Sequence, residues 1–137
     1  MPIKNTFCKN GVVIEMTGVV TDEELQNMQD EIYSYPYEEK LEFQIGNFLG
    51  IERFDASMEQ LRKIGEEDRA FAVGEHRQYI ALVVQRDSEI AVELNVYSAW
   101  AKDVGAVPPR IEQTAMETME EAYDWLRSRN VWLSHII

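Results

Sequence analysis

Segments typical of strands alternate with segments typical of helices along the chain, and this alternation constrains the fold more than any other feature. The strand-like segments are short and apolar, namely Gly11–Met16, Leu41–Ile45, Tyr79–Val84 and a weaker one at Arg110–Thr114. Each is followed by a segment whose apolar residues recur every three or four positions. Alternating strands and helices are joined by right-handed crossovers. The sequence therefore predicts an α/β domain of order β-α-β-α-β-α-β-α, with a mixed, mostly parallel sheet packed by helices.

Each helix-like segment begins at a residue that can cap it, namely Thr21, Ser57, Ser88 or Thr118. The residue three positions after the first, second and fourth of these is Glu or Gln. This spacing allows a capping box, in which two side chains and two backbone N–H groups pair reciprocally. The apolar stripe of the third helix ends at Gly105, a residue type that often terminates a helix.

Two of the strand-like segments differ in their expected exposure. Leu41, Phe43 and Ile45 alternate with Glu42 and Gln44, which predicts one buried face and one face in water, followed by a turn over 46–55. Tyr79–Val84 is apolar without alternation. That pattern predicts a strand covered on both faces, inside the sheet.

Length and charge limit the functions to consider. The chain has 137 residues, which is the size of one domain, with a core over about residues 11–129. Its net charge is −12, so binding to nucleic acid or to an anionic membrane is not expected. The first residues contain no apolar signal core, and no stretch is long enough to span a membrane. The single cysteine, Cys8, suits a reduced, cytoplasmic setting.

The sequence contains no recognisable catalytic signature. Phosphate-binding glycine loops, HExxH, CxxC and GxSxG motifs are all absent. The two histidines, His76 and His135, are far apart in the chain, so we expect no metal site. Cys8 precedes the first predicted strand and is expected to be frayed rather than catalytic. We therefore expect a protein without a cofactor that is not an enzyme.

The last eight residues, 130–137, form an apolar tail after a charged stretch. Its apolar members are Trp132, Leu133, Ile136 and Ile137. Such side chains are costly to leave in water. The tail is expected to pack on its own domain or to form the contact of a homodimer.

Ser57 is the most informative single position. A serine at the start of a helix is usually a cap, and that is the simpler interpretation. The functional interpretation is a phosphorylation switch, since a phosphate at a helix start is favoured by free N–H groups. Asp55 and Glu59 would oppose the added charge, which would then act mainly on the surface of a partner.

Three stretches together resemble the STAS-like domains of bacterial anti-sigma-factor antagonists. Gly11–Leu25 resembles the family's first strand, glycine turn and capped helix. Ser88–Gly105 is similar to the helix after the central strand, and Met119–Leu126 resembles the terminal helix with its Glu-Ala-x-x-Trp-Leu pattern. The resemblance implies a STAS-like fold, which is related in outline to the CRAL-TRIO lipid-transfer domains.

The resemblance also implies a site. Antagonists carry an Asp-Ser-Ser-Gly motif whose second serine is phosphorylated by a partner kinase, and the matching stretch here is Phe54–Met58. Asp55 and Ser57 stand at the aspartate and the phosphorylated serine. Ala56 replaces the first serine, and Met58 replaces the glycine that would leave the backbone bare.

Three hypotheses of function follow from these observations. The leading one is a non-enzymatic, bacterial-type regulatory module that binds a protein with a basic face, with Ser57 as its switch. The alternative is a carrier or sensor of a small apolar or lipid-like ligand, held among residues rich in Met, Tyr and Trp. The third is a small enzyme that uses Asp55, Ser57 or His76 in a cleft at the strand ends.

Overall fold

A computed structural model describes residues 2–74, 77–102 and 110–133. The strands are β1 (Ile3–Cys8), β2 (Gly11–Thr21), β3 (Phe43–Asp55), β4 (Gln78–Val83) and β5 (Ile111–Met116). The helices are α1 (Asp22–Ser34), α2 (Met58–Gly74), α3 (Glu89–Ala101) and α4 (Met119–Ser128). None of these helices has the length and apolar character that a membrane span requires.

The five strands form one sheet in the order β1-β2-β3-β4-β5. β1 pairs antiparallel with β2, and the other neighbours pair in parallel. The predicted fold class and alternation are confirmed, with one strand added before them. Cys8 is the last residue of this added strand, so the prediction that it precedes the first strand is wrong. The sequence did not predict this edge strand, because Lys4, Asn5 and Thr6 are polar and interrupt its apolar pattern.

Helices cover the sheet on both faces. α1, α2 and α3 pack on one face, over a core that includes Ile14, Leu25, Leu61 and Leu94. α4 packs on the other face, over a smaller core that includes Leu126. Every residue of β4 is buried, as predicted for a strand covered on both sides.

β3 is longer and more deeply buried than the sequence predicts. It continues through 46–55, where a turn was expected, and pairs with β2 as far as Asp55. A Cβ atom at Gly50 would lie 2.9 Å from the carbonyl oxygen of Met16, so this glycine permits a close approach of strands rather than a turn. Gln44 is buried, so the predicted wet face is also wrong.

The predicted helix starts agree with the structure, whereas one predicted end does not. Thr21 and Glu24 form a complete capping box, and Thr118 and Ser88 accept hydrogen bonds from the N–H groups three residues on. α3 ends at Ala101 and not at Gly105, which lies outside the described residues.

Candidate functional site

Ser57 lies in the connection between β3 and α2, one residue before the helix begins. Its hydroxyl oxygen accepts a hydrogen bond from the backbone N–H of Gln60 at 3.0 Å, and its carbonyl oxygen accepts from Leu61 at 3.1 Å. Ser57 therefore caps α2. The predicted reciprocal contact from the Gln60 side chain is replaced, because that amide donates to Gln26 Oε1 on α1 at 3.0 Å.

The backbone N–H of Ser57 is held by a carboxylate of the neighbouring helix. It donates to Asp22 Oδ1 at 2.7 Å, and Asp22 is the first residue of α1. Ser57 itself is exposed, whereas Asp22 is partly buried. A single side chain thus joins the start of α1 to the start of α2.

Asp55, the other residue of the predicted switch motif, is the last residue of β3 and is exposed. Both of its carboxylate oxygens accept from Nε of Arg53, at 3.1 and 3.0 Å. The charge of Asp55 also affects a carboxyl group on α3. Desolvation, followed by the charges of Glu89 and Asp55, raises the pKa of Glu93.

The end of the sheet around Ser57 is acidic overall. The first turns of all four helices lie at this end because they follow the carboxyl ends of β2, β3, β4 and β5, and each first turn carries at least one acidic residue. Arg53 and Arg86 are also at this end, but each is paired with a carboxylate, that of Asp55 at 3.0 Å and that of Glu117 at 3.2 Å. The resulting surface favours a cationic partner.

Exposed apolar side chains lie beside this acidic surface. Met58, directly after Ser57, is 71% exposed, and Val92 on α3 is 67% exposed. Leu49 on β3 is also exposed. The sequence resemblance predicts that Met58 replaces the glycine of the antagonist motif, and the structure shows that this side chain is exposed.

A row of polar contacts, here called the α1–α2 seam, runs inward from Ser57. It begins with the Asp22–Ser57 and Gln26–Gln60 contacts. One turn further, Gln29 Nε2 donates to the carbonyl oxygen of Ile64 at 3.5 Å and to Asp68 Oδ1 at 2.7 Å. The seam thus connects an exposed end at Ser57 to a buried end at Asp68.

Asp68 on α2 is buried and accepts three hydrogen bonds from two neighbouring helices, α1 and α3. Besides Gln29, its donors are the Tyr33 hydroxyl of α1 at 2.5 Å and the Tyr97 hydroxyl of α3 at 2.6 Å. Burial is the largest influence and raises the pKa of Asp68, although its three hydrogen bonds act in the opposite direction. The pKa values of Tyr33 and Tyr97 are raised well above their ordinary value by burial and by the charge of Asp68.

Sequence reasoning missed the Asp68 cluster, although one signal for it exists. Leu61, Ile64 and Asp68 follow one another at helical spacing, so a carboxylate continues the buried stripe of α2. A charged residue at a core position requires hydrogen-bonding partners.

A small cavity lies beside this cluster, between the sheet and the helices. Its volume is about 50 Å³, and its walls are mostly apolar, with Gln29, Gln44, Asp68 and Tyr97 as the polar lining residues. Gln29 Oε1 has no hydrogen-bond partner there. The space accommodates a few waters at most.

The apolar tail is described only as far as residue 133. Leu133 is buried against the core under α4, whereas Trp132 is 49% exposed. The carbonyl oxygen of Trp132 accepts from Asn10 Nδ2 at 3.2 Å. Ile136 and Ile137 lie outside the described residues, as do His76 and His135.

Cys8, the remaining candidate in the described part of the chain, lies beside Gly11, at the opposite end of β2 from Asp55. Cys8 is a partly buried free thiol whose Sγ donates to the carbonyl oxygen of Gly11 at 3.1 Å, and burial raises its pKa. Within the described residues, no group of three or more His, Cys, Asp or Glu side chains could hold a metal ion.

Comparison with known proteins bears on the fold. No family model matches the chain. The solved structure of the anti-sigma-factor antagonist SpoIIAA in its unphosphorylated form superposes with a TM-score of 0.52 at 17% identity, and covers 96% of this chain and 99% of SpoIIAA. The chain has the STAS-like fold. The match spans nearly the whole molecule and agrees with the order of elements that the sequence resemblance implied.

A second likeness is to part of a much larger protein. Valine–tRNA ligases of Streptococcus pyogenes, among them those of serotype M1 and of serotype M3 strain SSI-1, are 30% identical over 107 residues. The aligned region covers 67% of this chain and 12% of the ligase. The chain therefore matches only about an eighth of the length of these curated relatives.

Proposed function

We propose that this protein is a non-enzymatic regulatory module of the STAS type that acts through protein–protein contact, with Ser57 as its phosphoacceptor. The observation that carries the proposal is the position of the Ser57 hydroxyl. It is exposed at the start of α2, after β3, in a STAS-like fold, and it matches the phosphorylated serine of the antagonist motif in sequence. An exposed residue in the connection just before a helix is accessible to a partner kinase.

The partner that fits this surface is a protein with a basic face. The acidic residues at the helix starts attract such a face, and Met58 and Val92 offer it apolar contact. Phosphate at Ser57 adds close to two negative charges to a surface that is already acidic. It would change the docking of the partner through that charge. We place this interaction in the cytoplasm, in keeping with the free thiol of Cys8.

The proposal is tested on protein recovered from cells of its own organism. We expect mass spectrometry to find phosphate on Ser57, and a partner captured by crosslinking to be retained more strongly when the bait carries Ser57→Asp, because the added negative charge attracts the basic face of the partner. Ser88→Asp is the matched control, because Ser88 caps α3 with the same geometry at 3.1 Å but lies outside the motif. A partner that is retained equally by both variants, together with an unmodified Ser57, would contradict the switch.

The apolar cavity between the sheet and the helices does not support the ligand-carrier alternative. Pockets for small molecules usually measure about 300 to 1,000 Å³. The cavity between the sheet and the helices measures about 50 Å³, which is too small for a lipid-like molecule.

A homodimer would use the exposed Trp132, since Leu133 already packs within its own chain.

A further inference from the structure

We infer that a negative charge on Ser57 repels the Asp22 carboxylate and thereby separates the start of α1 from the start of α2. The biological use of this coupling depends on the proposed function, because it assigns the intramolecular response to phosphorylation at that site. The coupling itself is a property of the fold and can be measured without a kinase or a partner.

The geometry brings the Asp22 carboxylate to the backbone of Ser57. Asp22 Oδ1 lies 2.7 Å from the backbone nitrogen of Ser57, and the Ser57 hydroxyl is only a few covalent bonds from that nitrogen. Within the described residues, Asp22 takes part in no ion pair, and Arg53 is occupied by Asp55. A negative group on Ser57 would therefore face the Asp22 carboxylate without a cation between them.

This repulsion should weaken the contact between the first turns of α1 and α2. The contact between Asp22 and the Ser57 N–H holds the starts of α1 and α2 together, and the next hydrogen bond between the described residues of these helices is that of the Gln26–Gln60 amide pair. Below that point, Gln29 and Asp68 fix the two helices in the buried interior. Negative charge on Ser57 should thus release the first turn of α1 from α2 and leave the lower half of the α1–α2 seam closed.

A double-mutant cycle tests the coupling. Ser57→Asp and Ser57→Asn are both good helix caps and differ in charge. Each is made with Asp22 intact and with Asp22→Asn, whose amide oxygen can still accept from the Ser57 N–H. With Asp22 intact, we expect the unfolding equilibrium constant to be about fivefold larger for Ser57→Asp than for Ser57→Asn. With Asp22→Asn this difference should vanish or reverse, because a lone carboxylate at a helix start is favourable.

Two further readouts separate an electrostatic coupling from a structural one. Raising the salt concentration from about 20 mM to about 500 mM should remove most of the fivefold difference. Hydrogen exchange at the Ser57 amide should accelerate in Ser57→Asp and return to its original rate when Asp22→Asn is added. Exchange of the amides around Gln29 and Asp68 should accelerate by no more than the fivefold change in global unfolding, whereas the Ser57 amide should accelerate by more.

The same cycle with Ser88→Asp and Ser88→Asn is the control and should show no dependence on Asp22. A Ser57→Asp penalty that is equal in both Asp22 backgrounds would overturn the inference. That result would leave the proposed partner binding untouched, whereas an unmodified Ser57 in cells would remove the switch and leave the measured coupling intact.

Discussion

At the scale of single residues, Asp68 stands out as the one charged side chain that is buried in the described part of the chain. It is buried, and among the described residues its neighbours supply hydrogen bonds but no ion pair. Its pKa is raised by burial, so the folded state holds the proton more tightly than the unfolded chain does. Its contribution to stability is therefore full below the ordinary aspartate pKa and is lost as the pH rises through the higher pKa of the folded state.

This sign gives a prediction for Asp68→Asn, which keeps the shape and removes the ionisation. The free energy of unfolding of the original protein, relative to that of Asp68→Asn, should increase as the pH is lowered from 7 towards 4. The titratable groups that face Asp68 are Tyr33, Tyr97 and Glu67, and neither tyrosine ionises in this range. Urea unfolding at several pH values measures the difference. A difference that is flat or that decreases would show that the hydrogen bonds outweigh burial.

At the scale of secondary-structure elements, α2 and α3 approach each other closely at Gly65. A Cβ atom there would lie 2.7 Å from the Tyr97 carbonyl oxygen and 2.9 Å from the Cβ of Trp100. Glycine in a helix normally costs about 1 kcal/mol relative to alanine. Here the missing side chain allows the two backbones to approach.

We therefore expect Gly65→Ala to destabilise the protein by about 1 to 2 kcal/mol, because the overpacking of the helix contact exceeds the gain in helix propensity. Lys63→Ala on the exposed side of the same helix is the control and should change stability by less than about 0.5 kcal/mol. Thermal or urea unfolding distinguishes the two. A stabilised Gly65→Ala variant would mean that α3 can move away without loss.

The same elements explain what the sequence could predict. Thr21, Ser88 and Thr118 were recognisable as helix starts because capping depends on residues three positions apart. Gly50 misled the prediction, because a glycine that permits close strand packing has the same local appearance as one in a turn. Local pattern thus predicted the helix starts and failed along β3.

In the candidate site, too, some residues were predictable from local sequence and others were not. Ser57 was predicted as a helix cap from its position before a helix, and the structure confirms that cap, whereas its role in the motif stays a prediction. Asp22 and Asp68 were not found, since their roles depend on partners that are 35 and 29 to 39 residues away in the chain. Contacts of this kind depend on how α1, α2 and α3 pack over the sheet. That packing cannot be predicted from any single segment of the sequence.

At the scale of the whole molecule, charge is distributed unevenly. The net charge of −12 is combined with a surface at one end of the sheet where the helix starts carry carboxylates. Desolvation and the nearby charges of Glu89 and Asp55 raise the pKa of Glu93, so its charged form is disfavoured. Folding brings these carboxylates close together, so their mutual repulsion is stronger in the folded state than in the unfolded chain.

We predict that added salt stabilises this protein. Between about 10 mM and 500 mM sodium chloride, the Debye length falls from about 30 Å to a few Å, and the repulsion between surface carboxylates is screened. The free energy of unfolding in urea, an uncharged denaturant, should rise by about 1 kcal/mol or more. Glu93→Gln should raise stability at low salt and reduce this salt effect, because it removes one repelled charge near Asp55. If salt instead lowered stability, the ion pairs such as Arg53–Asp55 would outweigh the repulsion, and the acidic end would be weaker as an electrostatic docking surface than its composition implies.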